Sequence, residues 1–200
     1  MRVLIATENQ GKVKEIQALL KDLDIELVTP KSLGLSLQVV EDGDTYEANA
    51  GKKAGAYAQA SGLISIADDS GLEVDALGGA PGLYSARYSP LPNADDADRR
   101  ALVLENLRGK PRPWAAHFHA VIAICAPQGL PRFATGDCYG EIIPEERGAN
   151  GFGYDPIFFI PALGRTTAEL SMEEKNRLSH RALAIRNAIP LLREQLDKAG

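Results

Sequence analysis

The sequence contains little cysteine, histidine or tryptophan and no long apolar run. Its 200 residues include two Cys, three His and one Trp. Cys125 and Cys138 follow no ligand or disulfide spacing, so the sequence predicts neither a disulfide framework nor a zinc site. No stretch reaches the roughly 18 apolar residues that a membrane span requires, and the apolar run within Met1–Thr7 is too short for a signal peptide. We therefore expect a cytoplasmic protein without a membrane partner.

Basic residues are fewer than acidic ones. The chain has 22 Lys and Arg against 27 Asp and Glu, which gives a formal net charge of −5. Non-specific binding to long nucleic acid depends on clustered Lys and Arg, so this balance argues against such a partner. The hydrophobic fraction of 44% and the charged fraction of 24% are typical of a globular protein.

Hydrophobic periodicity predicts an α/β fold with strands of mixed direction. Apolar or alternating runs predict strands at residues 3–6, 25–28, 63–67, 72–77, 114–126, 132–143 and 157–160. Helical spacing predicts helices at residues 12–22, 45–61 and 94–107, followed by two helices after Ser171. Capping-box patterns of Asp44 with Glu47 and of Ser171 with Glu174 predict where two of these helices begin. The turn at residues 127–129 makes the two long strands an antiparallel hairpin. We expect a single domain over residues 1–200, in which a long central sheet with flanking helices forms two lobes around an active-site cleft.

Two acidic segments are candidate metal sites. Asp68 and Asp69 stand in a Ser-Gly turn between two predicted strands, and Glu41, Asp42 and Asp44 form a second acidic turn. Mg²⁺ commonly takes one or two carboxylates together with substrate phosphates, and a carboxylate that faces a water can act as a general base. The alternative is that each segment is an ordinary solvated turn, because Asp, Ser and Gly are common turn residues.

The segment from Thr7 to Lys12 is a candidate phosphate loop. It lies between a predicted strand and a predicted helix, where unsatisfied backbone N–H groups and the helix dipole favour an anion. Lys12 adds a positive charge. The segment is neither a Walker A loop nor a GxGxxG fingerprint, and a Gly-Lys pair after a strand also occurs in ordinary turns.

The segment Asn150–Pro156 is a candidate base-binding loop. Phe152 stands between two glycines and could lie flat against a nucleobase, while Asp155 could accept a hydrogen bond from a ring N–H. The same residues are also compatible with a tight aromatic turn in which Phe152 fills the core.

The segment from Lys175 to Arg181 combines Lys, Arg and His. If one helix ran through it, His180 would lie about 140° around the helix from Lys175, and the side chains would not converge. Ser179 is a good N-cap residue. A helix break there would present Ser179, His180 and Arg181 at a positive helix end.

Taken in order along the whole chain, these segments resemble the HAM1/RdgB family of inosine triphosphate pyrophosphatases. The matching pieces are Thr7-x-Asn9-x-Gly11-Lys12, Glu41-Asp42-Gly43, Glu47-Ala48-Asn49-Ala50, Ala67-Asp68-Asp69-Ser70-Gly71-Leu72, Gly78-Gly79-Ala80-Pro81-Gly82, Tyr84-Ser85-Ala86-Arg87-Tyr88, Gly151-Phe152-Gly153-Tyr154-Asp155-Pro156 and Glu174-Lys175-x5-Arg181. The resemblance implies a homodimer that uses one Mg²⁺ per subunit and hydrolyses ITP, dITP and XTP to the monophosphate and pyrophosphate.

The resemblance also implies roles for individual residues. Glu41 and Asp69 would hold the Mg²⁺, and Asp69 would be the base for the attacking water. The substrate-binding residues would be Thr7, Glu8, Asn9, Gln10, Gly11, Lys12 and Lys53 on the phosphate side and Phe152, Gly153, Tyr154, Asp155, Lys175, His180 and Arg181 around the purine. Ser70 would line the substrate site as well. Because the family commonly has a small residue in place of Glu8, we expect the Glu8 side chain to face solvent.

The implied substrates suit the chemistry of these residues. Hypoxanthine and xanthine carry an oxygen at C6, where adenine carries an amino donor. Donors from His180, Arg181 or nearby backbone would favour the oxo bases, and such a site can discriminate by about 10⁴. A nucleotide- or RNA-binding module without turnover is the alternative, since it would use the same loops without needing Asp69 and Glu41. A phosphotransferase is disfavoured because the sequence offers no Walker A lysine.

Overall fold

The computed structural model describes residues 1–199, which form a seven-stranded sheet and five α-helices. The strands are β1 (Arg2–Ile5), β2 (Glu26–Val28), β3 (Ile64–Val74), β4 (Trp114–Cys125), β5 (Arg132–Ile142), β6 (Phe158–Ile160) and β7 (Arg165–Thr166). The helices are α1 (Gln10–Leu20), α2 (Tyr46–Ser61), α3 (Asp96–Leu107), α4 (Met172–Leu178) and α5 (His180–Ala199). No helix of this part of the chain has both the length and the apolar character of a membrane span.

The sheet has the strand order β2-β1-β3-β4-β5-β6-β7. Strand β1 is parallel to both β2 and β3, whereas β6 is antiparallel to both β5 and β7. Six residues join the neighbouring strands β4 and β5, and so short a connection requires an antiparallel hairpin. These relationships confirm the predicted α/β fold with a mixed sheet and flanking helices.

Contacts divide the chain into two compact units. The first unit contains residues 1–69 and 120–136 and the segment from His180 onward, and the second unit contains residues 70–119 and 137–179. The single domain with two lobes and a cleft stays a prediction.

In the first unit, both faces of the sheet are covered by helices. Side chains alternate between faces along a strand, so Val3 and Ile5 pack with α1 and α5, while Leu4 and Ala6 pack with α2. Helix α2 is rich in alanine and buries Ala50, Ala54 and Ala58 against the strands. This helix begins after Thr45, whose hydroxyl accepts the Ala48 N–H, so the predicted cap at Asp44 is wrong by one residue.

The second unit has its own core. Leu72 and Val74 of β3 pack with Val103 and Leu107 of α3, together with apolar residues of β4, β5 and β6. Within this core the rings of Phe118 and Phe158 have centroids 4.6 Å apart.

The predicted turn at Asp68-Asp69-Ser70-Gly71 is wrong. Strand β3 runs without interruption from Ile64 to Val74, through both acidic residues. The strand can continue because the Asp68 carboxylate, although fully buried, is neutralised by Lys12 and Arg181, which sequence neighbours do not reveal.

Candidate active site

Strand β3 delivers two carboxylates to opposite faces of the sheet. Adjacent side chains of a strand point in opposite directions. Asp68 therefore lies on the face covered by α1 and α5, where Lys12 and Arg181 contact it. Asp69 lies on the face of α2, and its side chain is affected by the charges of Lys53 and Glu41. The continuous strand thus gives the two neighbouring acids different surroundings.

Asp68 belongs to a buried network of charged groups. Arg181 donates from Nε to Asp68 Oδ2 at 3.0 Å and from a second nitrogen to Oδ1 at 3.3 Å, and it also donates to Glu15 Oε2 at 2.5 Å. The ammonium of Lys12 contacts the Asp68 carboxylate as well. Burial alone would raise the pKa of Asp68, but Arg181 and Lys12 hold it well below its ordinary value of 3.8. Asp68 is therefore a charged structural anchor in this unit.

This network places Arg181 differently from the predicted purine contact. Arg181 is 1% exposed, and its guanidinium is directed at Asp68 and Glu15. Glu15 was missed by the sequence reasoning. An acidic residue directly before Ile16 on the buried side of a helix is the signal that could have indicated it.

Asp69 differs from Asp68 in that one of its carboxylate oxygens has no hydrogen-bond partner in the described part of the chain. The residue is 9% exposed, and its Oδ2 atom has no hydrogen-bond partner among residues 1–199. Burial raises the pKa of Asp69, and the nearby carboxylates of Glu41 and Asp68 act in the same direction against the charges of Lys53 and Lys12. A buried carboxylate oxygen without a partner is costly, which marks it as a group that binds something else.

Helix α2 holds Glu41 beside this carboxylate. Lys53 Nζ lies 3.0 Å from Glu41 Oε1 and donates to the backbone carbonyl oxygen of Asp68 at 3.1 Å. One turn earlier, Asn49 Oδ1 accepts the Gly43 N–H at 2.8 Å. A Cβ atom at Gly43 would lie 2.7 Å from the Ala48 Cβ atom, so the close approach of this segment to α2 requires glycine.

Glu41 and Asp69 suit a magnesium ion. Within residues 1–199 no group of three or more His, Cys, Asp or Glu side chains could hold a metal alone. Mg²⁺, however, usually takes one or two carboxylates and completes its shell with water and substrate phosphate oxygens. The open Oδ2 atom of Asp69 and the half-buried carboxylate of Glu41 provide those two oxygen donors.

The segment Thr7–Lys12 forms the start of α1. The helix begins at Gln10, two residues earlier than predicted, and Asn9 is its N-cap, with Oδ1 accepting the Lys12 N–H at 3.1 Å. Thr7 Oγ1 accepts the Asn9 N–H at 3.2 Å, and Glu8 is exposed, as expected. Gln10 and Gly11 therefore occupy the first helical turn, whose N–H groups lack partners within the helix and favour a bound anion.

The helix break at Ser179 is confirmed. Helix α4 ends at Leu178, Ser179 is extended with φ −66° and ψ 154°, and His180 starts α5. His180 is buried and, like Arg181, lies in the first unit. The predicted capping box of Ser171 and Glu174 at the start of α4 is also confirmed.

In the second unit the aromatic-glycine loop is folded around Asp155. Its carboxylate accepts the Phe152 N–H at 2.8 Å, the Lys175 ammonium at 2.5 Å and the Thr167 hydroxyl at 2.9 Å. Gly151 has φ +76°, and a Cβ atom there would lie 2.0 Å from Asp155 Oδ2. Asp155 is buried. The sequence suggested that its carboxylate accepts a hydrogen bond from a purine N–H, whereas in the structure it accepts hydrogen bonds from donors of the protein itself.

The remaining predicted residues of this unit are Phe152, Gly153, Tyr154, Lys175 and Ser70. Phe152 and Gly153 are half-buried, and the Lys175 ammonium lies 5.1 Å from the centroid of the Phe152 ring. Tyr154 is buried and donates its hydroxyl to the Ser85 carbonyl at 2.8 Å, and burial raises the pKa of this hydroxyl. Ser70 is half-buried on β3. Of the predicted purine-binding residues in this loop, Phe152 and Gly153 are thus the ones that remain partly accessible.

Comparisons with known proteins agree on one family. A model of the Ham1 family matches residues 3–191 of the chain. The dITP/XTP pyrophosphatase of Desulforamulus reducens is 47% identical over 193 residues and covers 96% of both chains, and that of Geobacter sulfurreducens is 44% identical over 100% of this chain and 98% of its own. The structure of a Ham1 protein from Coxiella burnetii superimposes with a TM-score of 0.87 at 41% identity, over 97% of this chain and 99% of the other.

Proposed function

Because the chain belongs to the Ham1 family, we propose that it hydrolyses noncanonical purine nucleoside triphosphates (ITP, dITP and XTP) to the nucleoside monophosphate and pyrophosphate. The observation that carries this proposal is the buried Oδ2 atom of Asp69, which has no hydrogen-bond partner among residues 1–199 and lies beside Glu41 and Lys53. A module that only binds nucleotides has no use for such a costly carboxylate. The relatives named dITP/XTP pyrophosphatase support the choice of substrates.

We assign the triphosphate and one Mg²⁺ per subunit to residues of the first unit. Glu41 and Asp69 would hold the ion, which when bound neutralises phosphate charge and orients the scissile linkage. Lys12 and Lys53, which contact Asp68 and Glu41 respectively, would contribute their ammonium groups, and the first turn of α1 after Asn9 adds backbone donors. Hydrolysis between phosphates depends mostly on positioning and on neutralising charge, and these groups supply both.

Asp69 is assigned as the general base. The carboxylate oxygen of Asp69 that does not hold the Mg²⁺ would accept a proton from the water that attacks the linkage between the α- and β-phosphates, and pyrophosphate would leave with the bridging electrons. Asp68 is excluded from this role because Arg181 and Lys12 occupy its carboxylate.

We assign the purine to the half-buried pair Phe152–Gly153 of the second unit and to His180. An aromatic face can stack on any base, so Phe152 would contribute affinity. Donors from His180 or nearby backbone would prefer the C6 oxygen of hypoxanthine and xanthine over the amino group of adenine. Lys175, Tyr154, Asp155 and Arg181, with their polar groups engaged inside the protein, would shape the site.

The proposed activity suits a particular location, oligomeric state and kind of partner. We propose that the protein acts in the cytoplasm as a homodimer and removes these nucleotides from the precursor pool before they enter DNA or RNA. Its partner is then a small molecule rather than a long nucleic acid, in keeping with the net charge of −5.

The test is to incubate the protein with ITP, XTP or dITP, with and without Mg²⁺, and to identify the products. We expect equal amounts of monophosphate and pyrophosphate, formed only with the metal. Binding of all three nucleotides without turnover would favour the binding module, and release of orthophosphate would indicate a different cleavage position.

A further inference from the structure

Helix α3 bonds both backbone polar groups of Gly153. Asp96 Oδ2 accepts the Gly153 N–H at 2.7 Å, and Arg100 donates to the Gly153 carbonyl oxygen at 2.8 Å. Asp96 and Arg100 are four residues apart and therefore share one face of the helix. The helix thus provides an acceptor and a donor, matched to the two polar groups of one backbone residue.

Both side chains are themselves fixed. Arg100 makes a two-point ion pair with Glu146, with N···O distances of 2.8 and 3.0 Å, and its side chain is 12% exposed. Asp96 also accepts from Arg99 at 2.5 Å. Bidentate Arg–carboxylate pairs add geometric restraint as well as energy, so α3 presents a preformed binding site for the loop.

Gly153 needs such a restraint. It adopts φ +61°, and no atom apart from its own and those of its chain neighbours lies within 4 Å of the position that a Cβ atom would occupy. Glycine has wide conformational freedom. The restraint comes from the two hydrogen bonds to α3 and from two bonds within the loop, in which the Phe152 N–H donates to the Asp155 carboxylate and the Asp155 N–H donates to the Phe152 carbonyl oxygen.

We propose that Asp96 and Arg100 are positioning residues for purine binding: by holding both polar groups of Gly153, they fix the direction of the adjacent Phe152 ring. This inference rests on the proposed function, because it takes Phe152 to be the ring on which the purine stacks. The ligand recognised through this arrangement is a purine nucleotide, and neither residue touches the reacting phosphates.

The first measurement follows the loop without any substrate. Amide hydrogen exchange is recorded for the peptide that contains residues 150–155 in the native protein and in Arg100→Met, which keeps an unbranched apolar stem but not the donors. We expect exchange of this peptide to be faster in the variant by about tenfold, the effect of one lost hydrogen bond to a charged group. Unchanged exchange would overturn the proposed restraint, whatever the enzyme's activity.

The second measurement separates the purine from the phosphates. Calorimetry gives the Kd of inosine 5′-monophosphate, and steady-state kinetics give KM and kcat for ITP and the inhibition constant of pyrophosphate. For Arg100→Met we expect Kd and KM to rise together by about tenfold, with kcat and pyrophosphate inhibition within about twofold of the native values. A loss that appears in kcat and in pyrophosphate binding to the same extent would contradict a purine-side role.

Three matched variants distinguish positioning from general damage. Arg100→Lys and Asp96→Asn each keep a group that can bond Gly153, so we expect both to bind the monophosphate within about threefold of the native protein. Glu146→Gln removes the ion pair but leaves the bond between Arg100 and Gly153, and it should act similarly. Asp96→Ala removes the acceptor and should reproduce Arg100→Met, which provides a second route if Arg100→Met does not fold.

Failure of this inference differs visibly from failure of the proposed function. If native protein releases no pyrophosphate from ITP, XTP or dITP with Mg²⁺, the proposed function fails, and the exchange measurement still tests the restraint. If the native protein is active but Asp96→Ala and Arg100→Met bind the monophosphate as tightly as it does, the positioning role is overturned.

Discussion

Arg181 and Asp68 form a two-point ion pair between side chains that are 2% and 0% exposed, although 113 residues separate them in the sequence. The pair joins the start of α5 to the middle of β3, and Glu15 of α1 completes it. Removing one member of a buried pair leaves its partners charged and without compensation. The pair therefore holds together the elements from which the phosphate-side residues project.

We expect Arg181→Met to destabilise the protein strongly. The loss in free energy of unfolding should be about 3–5 kcal/mol, as for other buried pairs that lose one partner, and urea denaturation measures it. The matched control is Arg132→Met, which breaks the ion pair with Glu194, where the side chains are 37% and 52% exposed. It should cost less than about 1 kcal/mol. Equal costs for the two variants would contradict the role assigned to Arg181.

Asp69→Asn should separate binding from turnover. The amide keeps the shape of the side chain but cannot accept a proton from water, so we expect kcat for ITP to fall by about 10² to 10⁴, while the Kd of ITP changes far less. Asp42→Asn is the control, because Asp42 is an exposed acid next to Glu41 and should leave kcat within about twofold of native. Unchanged turnover in Asp69→Asn would show that another group is the base.

Gly43→Ala should weaken metal binding. The new methyl group would lie 2.7 Å from the Ala48 Cβ atom and 2.8 Å from Asn49 Oδ1, so the segment that carries Glu41 must move away from α2. We expect the Kd of Mn²⁺, measured by electron paramagnetic resonance without nucleotide, to rise by about tenfold, as when groups that orient a ligand are lost.

Gly55→Ala provides the control on the same helix. Beyond the local backbone of the helix, no atom lies within 4 Å of a Cβ atom at Gly55, and alanine is the better helix former by about 1 kcal/mol. We expect Gly55→Ala to bind Mn²⁺ as the native protein does and to unfold at higher urea concentration. If Gly43→Ala also binds Mn²⁺ normally, the close contact with Asn49 does not position Glu41.

The stability contributed by Asp96 should depend on pH. Burial would raise the pKa of Asp96, but hydrogen bonds from Arg99 and the Gly153 N–H, with the charge of Arg100, lower it below its ordinary value of 3.8. A carboxyl whose pKa is depressed by folding stabilises the folded state above its unfolded pKa, and this stabilisation is lost as the pH falls through its folded pKa. We therefore expect native protein to exceed Asp96→Asn in free energy of unfolding at pH 7, with a difference that shrinks below pH 3.8. A difference that grows on acidification would contradict this assignment.

The sequence predicts the elements of this protein well where the signals are local. The helix break at Ser179 and the capping box at Ser171 depend on residues within one turn of each other, and both are present. The long hairpin follows from alternation and from the short connection between its strands.

The predictions that failed and the residues that were missed have one physical cause: the groups that interact lie far apart in the sequence. Asp68-Asp69-Ser70-Gly71 is typical of a turn, but the strand continues because Lys12 and Arg181 neutralise Asp68 from 56 and 113 residues away. Asp96 and Arg100 likewise gave no signal in the sequence, because their partner Gly153 lies 57 and 53 residues away. Such roles become visible only when the folded chain brings the groups together.

The most direct test of the central claim is the ratio of kcat/KM for pyrophosphate release from ITP and from ATP, measured with Mg²⁺ under identical conditions. The two substrates differ at C6 of the purine, and donors that bond an oxygen there are left without a partner by adenine's amino group. We expect the ratio to favour ITP by about 10³ or more, since sites that hydrogen-bond their substrate discriminate by about 10⁴. Equal values for ITP and ATP, or no release from ITP, would contradict the assignment of this protein as a pyrophosphatase for noncanonical purine nucleotides.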